Sequence, residues 1–304
     1  AVGSAALQST TSGTFNVAVG MRALRDNTSG DRNVAIGREA LMVSSSASDN
    51  VAIGYQALDT NTTGGENVAV GRNALDANTR GIQNVAIGAY SQDNSSTVSF
   101  NTAVGYHTLG SNTSGITTAA FGWGALTTNT TGTENTAIGS NALQFNTTGS
   151  YNVACGRSTL YANTTADYNV AVGYQALVAN TSGNLNVAVG AASLSSNTVG
   201  DRCVAVGHNA LASMNPTSNQ DMYNVAVGLN ALSNTTTGRF NVAVGGDCCN
   251  TQTTATNNTA VGHGALYYNT GSYNVAMGTG TLDANTTANY NTGLGWSALS
   301  ANTT

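Results

Sequence analysis

Lysine is absent from this chain of 304 residues, and all nine basic residues are arginine. Charged residues make up only 8%, against about 25% in an ordinary soluble domain. There is no basic run and the formal net charge is −5, so nothing in the sequence would hold a nucleic acid or an anionic membrane surface. No apolar run approaches the roughly 18 residues of a membrane-spanning helix, and no signal peptide is visible. The three histidines, His107, His208 and His263, lie far apart and the acids are scattered singly. Neither pattern supplies a pair for acid–base work or metal ligation. The many glycines lack the lysine and the strand–helix context of a phosphate loop, and the Asp-bearing glycine repeats of calcium-binding rolls are missing. We therefore expect no enzyme activity, no cofactor and no metal site. The four cysteines, Cys155, Cys203, Cys248 and Cys249, fall at unrelated phases of the pattern described next. They are expected to be small buried residues, not a disulfide framework.

What the chain does have is one motif, repeated. The glycine that closes each N-V-A-V-G falls at Gly3, Gly20, Gly37, Gly54, Gly71, Gly88 and onward to Gly207 in steps of 17 residues. It continues at Gly228, Gly245, Gly262, Gly278 and Gly295 in steps of 21, 17, 17, 16 and 17. Eighteen copies leave almost nothing outside the repeat, so residues 1–304 read as a single continuous solenoid domain that grows by adding units. The sequence opens at Ala1, already inside a repeat, as expected of a processed product or of a segment of a longer polypeptide.

Numbering from the closing glycine as 0, position −1 is apolar throughout, position −2 is Ala (Ala18, Ala35) except for Gly293, and position −3 is Val or Thr with a single Ala119. Position −4 is usually Asn, as at Asn33 and Asn67. Four such residues bounded by turn formers read as a short strand, and the glycine after it as a bend or a close backbone approach. Position +4 is Leu in sixteen of eighteen copies, among them Leu24, Leu58 and Leu75. The x-A-L-x stretch is expected to form a second short strand before an N-T-T-G turn at +7 to +10. Gly, Asn and Thr recur too often for a helix. The fold class is therefore all-β, a parallel β-solenoid of about 18 coils, with like side chains stacked in columns.

Alternation in the strand sets −1 and −3 on one face and −2 and −4 on the other, and neither face looks solvated. We expect Val and Ile inside, with the Ala column covered by a neighbouring copy and three chains side by side. The other reading lets Ala fill a narrow interior and leaves Val and Thr outside on a monomer.

The motifs N-V-A-V-G and N-V-A-I-G, with x-x-A-L and N-T-T-G, resemble the head repeats of YadA-type trimeric autotransporter adhesins. The stretches from Asn101 to Leu109 and from Asn169 to Leu177 are even more similar to the N-T-A-V-G-Y-Q-A-L repeats of phage tail fibres. The resemblance covers the whole chain. It implies a parallel β-roll, usually trimeric, that serves adhesion or host attachment, and it carries no catalytic residues. Function is therefore expected to be that of an extracellular structural fibre segment, on a virion tail fibre or a cell surface, acting as a rigid adhesive or receptor-binding rod. A self-assembling extracellular filament subunit and an ice- or carbohydrate-binding solenoid are the alternatives.

Irregular coils are expected near residues 42–49, 92–99, 214–221 and 249–257. The third holds four extra residues around the only proline; its Met214, Asn215, Pro216, Asn219 and Asp221 are the candidate binding-loop residues. Aromatics recur one residue before the repeat Asn, at Phe15, Phe100, Tyr151, Tyr168, Tyr223, Phe240, Tyr273 and Tyr290. They are expected to cap the coil edge or meet a neighbouring chain; stacking on sugars is the other reading. The sequons at Asn27, Asn61, Asn112, Asn129, Asn146, Asn163 and Asn180 are candidate glycosylation sites, although the turn itself also calls for Asn and Thr.

Overall fold

A computed structural model describes residues 1–303. It is all-β, with no helix among the described residues, and forms a parallel β-solenoid. The chain divides into two compact units, Ala1–Tyr151 and the residues from Asn152 onward. The first contains eight three-residue strands, from Val17–Val19 to Thr136–Ile138, preceded by a bridge from Val2 to Val19. The second contains nine such strands, from Val153–Cys155 to Thr292–Leu294, and one extra two-residue pair. Within each unit every strand pairs in parallel with its copy one coil on. The register is fixed residue for residue: Val34 on Val51, Ala35 on Ala52, Ile36 on Ile53.

The closing glycine explains itself twice. Gly71 has φ +139°, a region essentially closed to residues with a Cβ. A Cβ there would also lie 2.5 Å from the carbonyl oxygen of Gly88, one coil away. Only glycine lets two backbones pass so closely.

The stretch expected as a second strand is not one. From +1 to +6 the chain winds through turns in which +2 and +4 take positive φ, for example Arg22 (58°) and Leu24 (51°) with Ala23 between them on the ordinary side. The alternation points successive N–H groups up and down the stack. Arg22 N–H donates back to Ser4 O (2.9 Å), while Leu24 N–H donates forward to Ala40 O (3.0 Å). Backbone pairing between coils is kept without β geometry, and Leu24 is tucked inside at 0% exposure. A left-handed leucine costs roughly 1–2 kcal/mol, offset by burying the side chain completely at about 1.5–3 kcal/mol.

The interior reverses the expected facing of the strand. Ala18, Ala35, Ala52 and Ala69 at −2 are buried, as are the alanines at +3 and the leucines at +4. Val17, Val19, Ile36 and Ile53 point outward and stay 37–47% exposed. No neighbouring chain can lean on the alanine column, because it is the core. The reason is volume: one loop of chain encloses a cross-section that a leucine and two alanines already fill, and valine at −2 would overpack it.

Two asparagine columns supply the rest. At −4, Asn50 Oδ1 accepts the backbone N–H of Asn67 (3.0 Å) and its Nδ2 (3.2 Å), while Asn67 Nδ2 also donates to Gly81 O (2.8 Å). At +7, Asn27 Oδ1 accepts Gly30 N–H (3.0 Å) and Asn27 Nδ2 donates to Gly30 O (3.1 Å), which closes the turn. Away from the ends of the chain both columns are fully buried. An interior of amides satisfied by amides is why so polar a sequence folds.

Of the four irregular coils, three keep the regular backbone path and change only side chains. Ser44 and Gln252 stand in the +7 asparagine column, and Gln92 and Cys249 in the leucine column, all buried. Gln252 Nε2 donates to Ala255 O (3.1 Å), reproducing the asparagine's bond. Only the coil with the four added residues departs: Gln220–Asp221 pairs with Gly200–Asp201 after an exposed tip. The one-residue deletion before Gly278 is absorbed in the turn, and the column continues from Asn269 to Asn285 (2.7 Å).

Candidate interaction surfaces

Positions −5, −3, −1 and +1 all face outward, so each coil shows a period-two row such as Phe15, Val17, Val19, Met21 or Tyr168, Val170, Val172, Tyr174. Stacked, the −3 and −1 positions form a ribbon of Val and Ile on each unit, interrupted by threonines such as Thr102 and Thr136. The −5 edge is mostly polar or charged in the first unit (Arg32, Asp49, Glu66, Gln83, Thr117, Glu134) and mostly aromatic in the second. The −5 residue has positive φ in coil after coil (Phe15 58°, Tyr168 58°), which turns its side chain onto the flank of this face. Four of the edging rings have an arginine over them: Arg72 over Tyr55 (5.8 Å), Arg157 over Tyr174 (5.9 Å), Arg202 over Tyr223 (5.7 Å) and Arg239 over Phe240 (5.5 Å). Tyr223 stacks on Phe240 (5.8 Å) and Tyr273 on Tyr290 (5.0 Å), so these ring faces are turned to one another along the column. Isolated exposed valines mean little, but an apolar face of this extent is a candidate interaction surface.

The candidate binding loop divides. Met214 and Pro216 are buried and anchor it, and Asp221 forms an ion pair with Arg202. Asn215 and Asn219 are exposed, and Asn215 Oδ1 accepts a hydrogen bond from Thr198 (2.7 Å). The free tip is therefore short and polar, with no ring or charge of its own. Met214 and Cys203 replace both column asparagines of one coil, and their sulfurs meet at 3.4 Å.

The sequon asparagines lie inside the fold. Asn27, Asn61, Asn112, Asn129, Asn146, Asn163 and Asn180 are all fully buried, each donating Nδ2 to the carbonyl three residues on. A glycan on any of them would have to open the turn, so they are structural positions and not attachment sites on the folded chain. The cysteines are free, and three are buried; burial pushes the thiols of Cys203 and Cys248 up to about 12. Cys155, expected in the core, sits half-buried on the outward face instead, because −1 faces out.

At +5, Asp59, Asp76 and Asp93 stack on consecutive coils of the first unit, half-buried, and burial raises the pKa of all three. Asp59 is raised to about 6, first by burial and then by the neighbouring Glu39 and Asp76. No group of three metal-ligating side chains occurs among the described residues. The column has a consequence for stability. Because Asp59 binds its proton more tightly when folded, the fold gains stability as pH falls from about 6 toward 4 and loses it as pH rises through that window. The full shift would be worth about 3 kcal/mol, and solvent screening of this half-exposed group reduces it to about 1 kcal/mol. Asp59→Asn should therefore stabilise the chain by roughly 1 kcal/mol near neutral pH and flatten that part of the pH profile; urea titrations across the window measure it.

The second unit also holds a shallow cleft that no sequence motif announces, lined by His263, Gly264, Tyr267, Tyr268, Thr279, Gly280 and Asp283. Its trace in the sequence is glycine at +2 in two successive coils, where most coils carry a side chain. In comparisons with known proteins, no family model matches the chain and no curated protein matches it.

Proposed function

We propose that the chain is a structural segment of an extracellular fibre, on a virion or a cell surface, that serves adhesion and packs side by side with further copies of itself. Three copies is the number implied by the resemblance to trimeric adhesin heads. The observation that carries this reading is the exposed Val/Ile ribbon. Eight or nine strands spaced about 4.8 Å, each with an outward-facing row of about 20 Å, give each unit an outward face of roughly 800 Å², of which the Val/Ile ribbon is about half. The whole face is about what each partner contributes to a stable protein–protein interface. The ribbon repeats at the coil spacing, so the surface that matches it along its height is another stack of the same pitch. A second copy of this chain supplies that surface.

The test is particle mass. Light scattering should give a multiple of 30.6 kDa. Replacing Ile53 and Ile87, both on the ribbon and 37–39% exposed, with glutamate should return the mass to that of one chain while the circular dichroism stays unchanged. A wild-type chain that is a monomer at every concentration overturns the association. Long threads in micrographs would move the reading to an end-to-end filament.

A further inference from the structure

We infer that the cleft between His263 and Asp283 is a binding site for one neutral pyranose ring. The site arises where two consecutive coils have glycine at +2. Gly264 and Gly280 (φ +66° and +63°) leave a bare shelf, and nothing lies within 4 Å of where a Cβ of Gly264 would be. The adjoining coils carry Asp247 and Ser297 at this position, so the shelf has ends. Its volume is about 250 Å³, under the roughly 300–1,000 Å³ of pockets that enclose drug-sized ligands, which suits a single ring.

The lining has the chemistry that such a ring requires. Tyr268, 57% exposed, offers an aromatic surface to the C–H face of a sugar, and Tyr267 buttresses it edge-on (centroids 4.6 Å, 71°). Asp283 supplies a carboxylate acceptor at one side, with Oδ1 already taking the N–H of Ala284 (3.0 Å). Thr279 brings a hydroxyl, and His263 a ring nitrogen that is donor or acceptor. His263 Nε2 lies 3.8 Å from an Asp247 carboxylate oxygen, beyond hydrogen-bond distance, and that carboxylate is itself fixed by amide donors from Asn230 (3.0 Å) and Asn250 (3.2 Å). Two carboxylates against one imidazole make the place unfavourable for acidic sugars, phosphate or sulfate. An aromatic cage for a quaternary ammonium would need ring faces on several sides; here one tyrosine presents its edge to the other.

This inference rests on the adhesive reading for its biological use, naming where that adhesion would act and on what class of ligand, and its test stands apart from particle mass. Saturation-transfer NMR and calorimetry on the full chain would use methyl glycosides of glucose, galactose and N-acetylglucosamine, with choline, sialic acid and inorganic phosphate alongside. At least one neutral glycoside should bind, with a Kd on the order of millimolar for so small and open a site, and with transfer strongest to its ring C–H protons. Gly264→Asn with Gly280→Asn should abolish binding at least tenfold without changing the melting temperature. Asn73, Asn209 and Asn230 already occupy the same position at φ 53–56°, so the fold accepts the residue while the shelf is filled. Tyr268→Ala should weaken binding comparably. The site is overturned if no neutral glycoside binds, if only choline binds, or if the double asparagine variant binds as well as wild type. Adhesion to a glycan-coated surface that survives the double variant removes the cleft but not the fibre. A monomeric particle that still binds the glycoside does the reverse.

Discussion

Gly71→Ala should cost the first unit about 4 kcal/mol, the sum of roughly 1–3 kcal/mol of backbone strain and a similar overpacking term. The methyl group would have to sit 2.5 Å from Gly88 O and 2.6 Å from its carbonyl carbon, and both are backbone atoms locked into the next coil. Nothing there is a flexible side chain that could move aside. Because each coil is held chiefly by its neighbours, the damage should not stay at residue 71: the stack divides there, and the coils on either side melt earlier than in wild type. Gly264→Ala is the matched control. That glycine also has positive φ, but alanine already occupies the equivalent position at Ala5 (φ 58°) and Ala192 (φ 55°), and the space beside it is open. Its cost should stay near 1 kcal/mol or below. Denaturant melts of the two variants decide the matter. If they fall within about 1 kcal/mol of each other, close approach at the closing glycine is not what sets the coil.

Much of this fold was legible because the repeat averages out local ambiguity. The coil length, the parallel register, the glycine at the bend, the buried leucine and the turn after it all follow from columns of identical residues. The facing of the strand was not legible. A strand with Ala on one side and Val or Ile on the other has no polar phase to declare which side is wet, and propensity favours neither. What decides is how much volume one coil can enclose, a tertiary quantity: Ala18, Ala23 and Leu24 fill it, and the β-branched residues are turned out. The misread second strand has a different cause. Its alternating φ signs have no hydrophobic signature, yet position +2 holds Asn73, Asn141, Asn209, Asn230, Gly124, Gly264 and Gly280, the residue types that tolerate left-handed backbone. Leucine at +4 concealed the same conformation, because burial overrides its preference. The sequons misled for a related reason. N-T-T-G describes an acceptor for sugar and also a turn that closes on its own asparagine, and in this chain each of those amides is used internally.

Asn67→Asp changes one atom type and should be among the most damaging substitutions in the first unit, at about 3–5 kcal/mol near neutral pH. Asn67 sits at full burial between two copies of itself. Its Nδ2 donates to Asn50 Oδ1 and Gly81 O, and its Oδ1 accepts the backbone N–H (3.0 Å) and Nδ2 (3.1 Å) of Asn84. An aspartate keeps the accepting half and loses the donating half. Its second oxygen then faces two other acceptors, while the ionised form brings a charge into a dry interior with no cation beside it. Burial and acceptor repulsion both favour the proton, so the folded-state pKa must rise above the unfolded value. Stability lost at neutral pH should therefore return in part as the solution is acidified, since a protonated carboxyl can donate one of the missing bonds. Asn67→Leu, which removes donor and acceptor together, should also be costly, because it orphans the Asn84 backbone N–H, but its cost should not change across the same pH range. Parallel urea titrations at neutral and acidic pH separate the two. An Asn67→Asp chain whose deficit is small, or does not shrink on acidification, would mean that the amide column is incidental and that the apolar column of Ala and Leu alone holds the coils in register.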